Sequence, residues 1–245
     1  MAAEGQIVLS GGASGIGRAI VARLVQEGNS VCVLDRDAAG LAALADDFAG
    51  KVRTAAVDVS DFTRVGDAVA GFAEQGPIRG LVNNAGWDES VRFIDTEPAF
   101  WRKVIDINLY GPLNLTHAVL PHLIHAGGGR VVSIASDAGR VGSSGEAVYS
   151  AAKGGTIALM KTLAREHARD GITFNSICPG PTDTPLLDAV DPTGKLQSAL
   201  ERAVPMRRLA TPEDFPGLVS FFLSEEAGYI TGQTISVSGG LSMQG

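Results

Sequence analysis

Seven short runs of apolar and β-branched residues punctuate this chain, separated by longer stretches with a helical rhythm. The runs are QIVLS (6–10), SVCVLD (30–35), VRTAAVDV (52–59), GLVNNAG (80–86), RVVSIAS (130–136), ITFNSICPG (172–180) and QTISVSGG (233–240). Each reads as a buried strand closing at a polar or glycine-rich end. Between them, IGRAIVARLVQEG and AVYSAAKGGTIALMKTLAREHARDG carry apolar residues at three- and four-residue spacing, the period of a helix with one buried face. Alternation of this kind builds a parallel sheet covered by helices on both faces. The expected fold is α/β, a doubly wound parallel sheet of about seven strands. No linker, repeat or low-complexity segment divides it, so residues 1–245 are expected to form one domain.

Composition narrows the partners. With 45% hydrophobic and 19% charged residues, the 245-residue chain reads as a soluble globular protein with ample core material. A net charge of −7 argues against a nucleic-acid surface. No charged-then-apolar leader opens the sequence, and no uninterrupted apolar run reaches the roughly 18 residues of a membrane span. Cys32 and Cys178 both sit in strand-like apolar runs, as small core residues rather than a disulfide pair, which fits a reducing cytoplasm. The expectation is a cytoplasmic protein without nucleic-acid or membrane partners.

The stretch from Pro179 to Pro212 breaks the rhythm. It holds Pro179, Pro181, Pro185, Pro192 and Pro205, a helix-like patch near Lys195–Ala203, and no strand. Open α/β sheets bind ligands outside the carboxyl ends of their strands, so residues 181–212 are expected to form a substrate-covering lid.

The first strand runs directly into Ser10-Gly11-Gly12-Ala13-Ser14-Gly15-Ile16-Gly17, and a helix follows. Glycines at 11, 15 and 17 allow a tight turn and close approach of backbone to a pyrophosphate, with the helix N-terminus offering amides and a positive dipole end. The spacing is Gly-x-x-x-Gly-x-Gly, not the commoner Gly-x-Gly-x-x-Gly. Asp35 closes the second strand 18 residues after Gly17. A carboxylate there accepts hydrogen bonds from an adenosine ribose and repels a 2′-phosphate, which points to NAD rather than NADP. Neighbouring Arg36 could instead hold a phosphate, and Asp35 could serve only to cap the next helix.

With these residues in view, the chain resembles the single-domain short-chain dehydrogenases/reductases over essentially its whole length. The resemblance implies a Rossmann-like fold and assigns cofactor contacts to Ser10, Gly11, Ser14, Gly15, Ile16 and Gly17. It adds the pair Asp58-Val59 at the adenine, and Asn84, Ala85 and Gly86 of the NNAG motif. Pro179, Gly180, Thr182 and Thr184 would hold the nicotinamide carboxamide. Asn108, Ser136, Tyr149 and Lys153 match the catalytic tetrad. Tyr149 and Lys153 stand one helical turn apart on one face, and a nearby cation favours the phenolate. The helix N-terminus acts in the same direction, so a phenol pKa lowered toward working pH is expected. Tyr149 would then exchange a proton with the substrate oxygen while Ser136 holds that oxygen. The family further implies that Lys153 bonds the nicotinamide ribose and that Asn108 keeps a water linking Lys153 to solvent. A homotetramer through the helices spanning 97–126 and 147–170 is likewise implied.

In its variable segments the chain looks closest to the 2-hydroxycyclohexanecarboxyl-CoA dehydrogenases of anaerobic aromatic-ring breakdown. NNAGWD, ASDAGRVGSSGEAVY, REHARDGIT, CPGPTDT and ISVSGGLSM carry this likeness. It implies a small-molecule substrate that is a CoA thioester, with Arg92, Arg140, Lys195, Arg207 and Arg208 as candidates for its phosphates. Trp87, Asp137, Arg140 and Glu146 are the candidate substrate contacts. Packing is equally open for Trp87, and a mutual ion pair for Arg140 and Glu146. Trp101 reads as core packing, Arg207-Arg208 as structural, and His117, His122 and His125 as surface residues rather than metal ligands. Two other readings share the cofactor motif: a dehydrogenase of a plain cyclic or aromatic alcohol, and an NAD-binding sensor without turnover.

Overall fold

A computed structural model describes residues 5–184 and 195–243 of the chain. The strands β1 (Gln6–Ser10), β2 (Ser30–Asp35), β3 (Val52–Ala56), β4 (Ile78–Asn83), β5 (Gly129–Ile134), β6 (Ile172–Pro179) and β7 (Thr234–Val237) make one sheet in the order β3-β2-β1-β4-β5-β6-β7. Every neighbouring pair is parallel. This is the Rossmann-like arrangement the alternation requires.

The strands read as continuous apolar runs because both of their faces are covered. On one face Ile7, Leu9, Val33 and Val82 pack against Ile20 and Leu24 of α1 (Gly15–Gln26) and Leu41 and Leu44 of α2 (Ala38–Asp47). On the other, Val8, Leu34, Leu81 and Phe174 meet Val65 and Val69 of α3 (Phe62–Ala73). Alternate residues of one strand thus feed two cores, as the period of two demands. Cys32 and Cys178 are free thiols fully buried in β2 and β6.

The helix expected over 97–126 is two helices. α4 (Pro98–Ile105) and α5 (Gly111–His125) are joined by a π-type turn, Asp106–Tyr110, in which the Gly111 N–H reaches back five residues to the Asp106 carbonyl. Pro112 has no N–H to extend an ordinary ladder through this point, and the widened turn absorbs the break. A short α6 (Ala138–Val141) precedes α7 (Ala147–Glu166); further along the chain come α8 (Lys195–Ala203) and α9 (Pro216–Leu223), with Phe222 of α9 packing on the first face. Among the described residues no helix is long and apolar enough to cross a membrane.

Two features position the site. Strand order reverses at β1, which pairs with both β2 and β4, so a crevice opens between the loops leaving β1 and β4. The segment after β6 is held over the same end: the Asp183 N–H bonds the Ala210 carbonyl at 2.8 Å, and the Ala210 N–H bonds the Pro181 carbonyl at 2.9 Å. The middle of the expected lid, residues 185–194, lies outside the described residues.

Candidate active site

The crevice is a cleft of about 360 Å³. Its floor is built by two loops tied to each other. Ser10 Oγ accepts the N–H groups of Asn84 and Ala85, each at 3.1 Å. Asn84 Nδ2 donates back to the carbonyls of Ser10 at 3.1 Å and Gly11 at 2.7 Å. Ser10 is buried, so its hydroxyl braces the NNAG loop instead of meeting the cleft.

Glycine is required for two different reasons here. A Cβ on Gly17 would stand 1.9 Å from the Gly11 carbonyl oxygen, so α1 can seat on the loop only without one. Gly15 has φ +52°, and its Cβ position meets only Thr184 Cγ2 at 3.7 Å, leaving open space where a ligand backbone could lie. Ser14, the exposed residue preceding α1, makes no side-chain cap bond, so its hydroxyl and the helix amides face the cleft together.

Asp35 reaches the cleft from the end of β2. Its Oδ2 accepts the Ala13 N–H and its Oδ1 the Asp37 N–H, both at 3.0 Å, which fixes the carboxylate and leaves lone pairs for a ligand hydroxyl. Capping of α2 falls to Asp37, whose side chain accepts the Gly40 N–H at 3.0 Å. Asp58 lines the cleft nearby. Burial raises its pKa, but hydrogen bonds from Ser60 and the Arg36 charge outweigh that and hold it below the usual carboxylate value. Val59, Ile16, Ala85, Gly86 and Trp87 complete the wall. These residues fit a nicotinamide dinucleotide: amides and a hydroxyl for the pyrophosphate, a fixed carboxylate for a ribose, and an open Gly15.

Beside the cleft, α7 brings Lys153 close behind the Gly86 wall and Tyr149 into an adjoining crevice with Asp88 and Glu146. Ser136 follows β5, and its hydroxyl acts on the Tyr149 phenol, favouring the ionised form. Ser136 Oγ also accepts the Ala138 N–H at 3.1 Å. Lys153 is buried; its Nζ donates to the Ile134 carbonyl at 3.0 Å and lies 5.5 Å from the Tyr149 ring centre. A Cβ on Gly86 would be 3.5 Å from that Nζ, so the NNAG loop closes directly over the lysine. Asn108, fully buried in the π turn, faces the same point.

The electrostatics differ from the expected lowered phenol. Burial, then the carboxylates of Asp88 and Glu146, push the Tyr149 phenol above its ordinary value, and the Ser136 hydrogen bond only partly offsets them. Lys153 is lowered to about 8, by burial opposed by the charges around it, Asp88 among them. With Lys153 bonded to a backbone carbonyl and two carboxylates near Tyr149, the site holds the phenol protonated.

Asp88 is the residue that the sequence reading passed over. It is buried, and its acid is pushed up to about 7 by burial, aided by Glu146 and Glu89 and opposed by the Glu89 backbone N–H and Lys153. The NNAGWD segment was visible in the sequence, but the approach of residue 88 to Tyr149 depends on the path of the loop after β4.

The expected substrate contacts divide. Trp87 lines the cleft, its ring held edge-on by Phe100 at 5.9 Å and covered by Lys103 Nζ at 3.4 Å. Glu146 shares a narrow crevice with Asp88 and Tyr149. Asp137 and Arg140 instead turn to β7. Arg140 Nη1 donates to Ser236 Oγ at 2.5 Å, Ser236 Oγ donates to Asp137, and the two charges lie 3.7 Å apart, each side chain about nine-tenths buried. Arg140 is thus engaged with Asp137 and Ser236 on the sheet side. Arg208 makes a two-point bond to Asp214, and Arg207, at φ +58°, donates to the Arg202 carbonyl. Arg92 is exposed, and the Lys195 side chain lies outside what is described. Trp101 is half-buried, stacked on Phe93 at 5.6 Å with its indole N–H on Thr96, rather than in the core. His117 packs on Phe62 at 5.5 Å. After β6, the Gly180 N–H bonds the Val237 carbonyl at 3.0 Å, Thr182 Oγ1 bonds the Gly180 carbonyl at 2.8 Å, and Thr184 borders the cleft.

A fold with a dinucleotide cleft and a Ser–Tyr–Lys cluster beside it defines a nicotinamide-dependent oxidoreductase. A family profile described as Enoyl-(Acyl carrier protein) reductase matches residues 11–242. The acetoacetyl-CoA reductase of Shinella zoogloeoides is 39% identical over 236 residues, covering 95% of this chain and 96% of that protein. FabG of Thermotoga maritima, a 3-oxoacyl-acyl-carrier-protein reductase, is 35% identical, covering 98% of this chain and 99% of its own. Among solved structures, levodione reductase superposes with a TM-score of 0.91 at 32% identity, covering 96% of each chain. The 3-ketoacyl-(acyl-carrier-protein) reductase of Brucella melitensis complexed with NADH gives 0.93 at 28% identity, covering 98% of each. An actinorhodin polyketide ketoreductase with NADPH gives 0.93 at 32%, covering 98% of this chain and 99% of that one. The chain belongs to the short-chain dehydrogenase/reductase family.

Proposed function

We propose that the protein is an NAD-dependent dehydrogenase interconverting a secondary alcohol and a ketone on a cyclic acyl-CoA thioester, of the kind represented by 2-hydroxycyclohexanecarboxyl-CoA. The observation that carries the chemistry is the Ser136 hydroxyl acting on the Tyr149 phenol beside buried Lys153, whose Nζ lies behind the Gly86 wall of the cleft. Bound nicotinamide supplies the hydride acceptor or donor. Ser136 holds the substrate oxygen, and Tyr149 exchanges the proton with it. A phenol kept protonated at rest is the form that gives a proton to a carbonyl being reduced.

Asp35, fixed by two backbone amides and set to receive ribose hydroxyls, supports NAD; related structures carry NADH or NADPH, so the fold itself does not choose. The thioester is supported by the pocket segments quoted above and by relatives named for acyl thioesters. The reading includes residues 181–212 as the lid and the reducing cytoplasm that suits two buried free thiols. It also includes a homotetramer; exposed Phe62, Tyr110 and Ile124 lie on or beside α5.

Initial rates of nicotinamide reduction test it, with NAD and NADP, on 2-hydroxycyclohexanecarboxyl-CoA, the free hydroxy acid and simple cyclic alcohols. NAD-dependent turnover of the thioester well above the others supports the reading. Equal turnover of small alcohols removes the thioester but keeps the dehydrogenase. NAD binding without turnover would make the protein a sensor.

A further inference from the structure

We propose that Asp88, with Glu146 across the same crevice, determines substrate selection: the site accepts an uncharged ester or thioester beside the reacting carbon and turns away the free carboxylate. This rests on the dehydrogenase reading above and sharpens its substrate class.

The placement of Asp88 is fixed from both sides. Immediately before it, the Trp87 N–H and carbonyl are both bonded to the Asn108 carboxamide. After it, the Val91 N–H bonds the Gly145 carbonyl at 2.9 Å, which joins this loop to the one carrying Glu146. Asp88 and Glu146 therefore border one crevice with Tyr149, and Phe93 and Phe100 supply much of the rest of its wall.

The charges that act on Asp88 are Glu146, Glu89 and Lys153, and its carboxylate in turn acts on Tyr149. Lys153 is the cation of the set, and its ammonium is bonded to the Ile134 carbonyl. Arg140, which could have met a substrate anion, faces Asp137 and Ser236. A carboxylate placed next to the carbon whose oxygen Tyr149 protonates would meet two like charges in a partly desolvated space, whereas an ester of the same shape would not. Selection by a repulsive group against the wrong substrate is a general route to specificity. Because burial pushes the Asp88 acid up to about 7, its share of the repulsion is present above that pH and fades below it as the carboxyl takes up a proton.

The test compares kcat/KM for a neutral ester and its free acid at pH 8. One pair is methyl 2-hydroxycyclohexanecarboxylate and its acid, in oxidation with NAD; a second is methyl acetoacetate and acetoacetate, in reduction with NADH. Wild type, D88N and E146Q are measured, with NADH binding followed by fluorescence to confirm a folded site. The expected result is an ester-to-acid ratio about tenfold or more lower in D88N, a smaller fall in E146Q, and a wild-type ratio that declines between pH 8 and pH 6. A ratio unchanged in both variants overturns the role of Asp88 while leaving the dehydrogenase intact. Wild-type protein that binds NADH yet turns over neither member of either pair overturns the dehydrogenase reading and this inference with it.

Discussion

The carboxamide of Asn108 closes on both ends of the Trp87 main chain: Oδ1 accepts the Trp87 N–H at 3.3 Å, and Nδ2 donates to the Trp87 carbonyl at 2.6 Å. The same Nδ2 donates to the Val104 carbonyl at 2.9 Å, inside the helix that the π turn interrupts. One buried side chain thus hangs the loop after β4 from the break between α4 and α5. The resemblance gives Asn108 the task of keeping a water. With its carboxamide committed to Trp87 and Val104, the group left for a water is its main-chain carbonyl, which already accepts the Thr156 hydroxyl at 3.0 Å.

Asn108→Ala should therefore act on stability as well as on turnover. Two buried carbonyls and one N–H lose their partner, a loss of about 2–4 kcal/mol at typical costs for buried polar groups left unsatisfied. Urea unfolding reads the first effect and kcat the second. A variant with wild-type stability would show that the clamp is not what holds Trp87.

Tyr149→Phe removes the proposed proton carrier and keeps the ring. Turnover should fall by about a hundredfold to ten-thousandfold, the usual worth of a positioned acid or base. NADH affinity, measured by fluorescence titration, should stay within a fewfold of wild type, because the glycine loop and Asp35 are untouched. Survival of turnover within a few-fold would remove Tyr149 from the proton relay.

Arg140→Ala should behave as a structural lesion. The sequence left Arg140 as either a substrate contact or an ion-pair partner of Glu146; as a substrate contact, its loss would raise KM for a thioester selectively. In the fold it stands beside the Asp137 carboxylate and Ser236, and removing it leaves a buried charge short of its partner. Breaking such a pair costs about 3–5 kcal/mol. The expected outcome is a lower melting temperature, with thioester and plain alcohol affected alike. A selective rise in KM for the thioester at unchanged stability would return Arg140 to the binding site.

The seven strands and the glycine loop were legible in the sequence because both rest on local rules. A central parallel strand must be buried on both faces, as QIVLS and ITFNSICP are, and Gly17 must lack a Cβ because its helix lies on the Gly11 carbonyl. The Tyr149–Lys153 pair was legible for the same reason, since four residues on a helix fix a shared face. What escaped depends on contacts between distant segments. Residues 137 and 236 meet because β7 lies beside β6, which no spacing announces. The direction of the Tyr149 shift escaped too: the Lys153 effect is local, but burial and the Asp88 and Glu146 carboxylates belong to the assembled pocket. Asp106–Tyr110 fits a helical pattern, and only the pull of Asn108 and the proline at 112 turn it into a π turn.

Asp88 should leave a signature in stability as well as in selection. Its acid has an ordinary value of 3.8 and stands at about 7 in the folded protein, chiefly through burial, with Glu146 adding to it. Between those values the folded state holds a proton that the unfolded chain releases, so this group makes folding less favourable as pH rises. The loss has a limiting slope of about 1.4 kcal/mol per pH unit for one proton. It begins near pH 4 and is complete above pH 7. Asp88→Asn keeps the shape and removes the titration, and below pH 7 Lys153 stays charged in both proteins. The difference in unfolding free energy, D88N minus wild type, should therefore grow from pH 5 to pH 7. Urea unfolding of both proteins at half-unit steps measures it. Curves that run parallel across this range would mean that Asp88 ionises as an exposed carboxylate does, and that the loop after Trp87 opens to water.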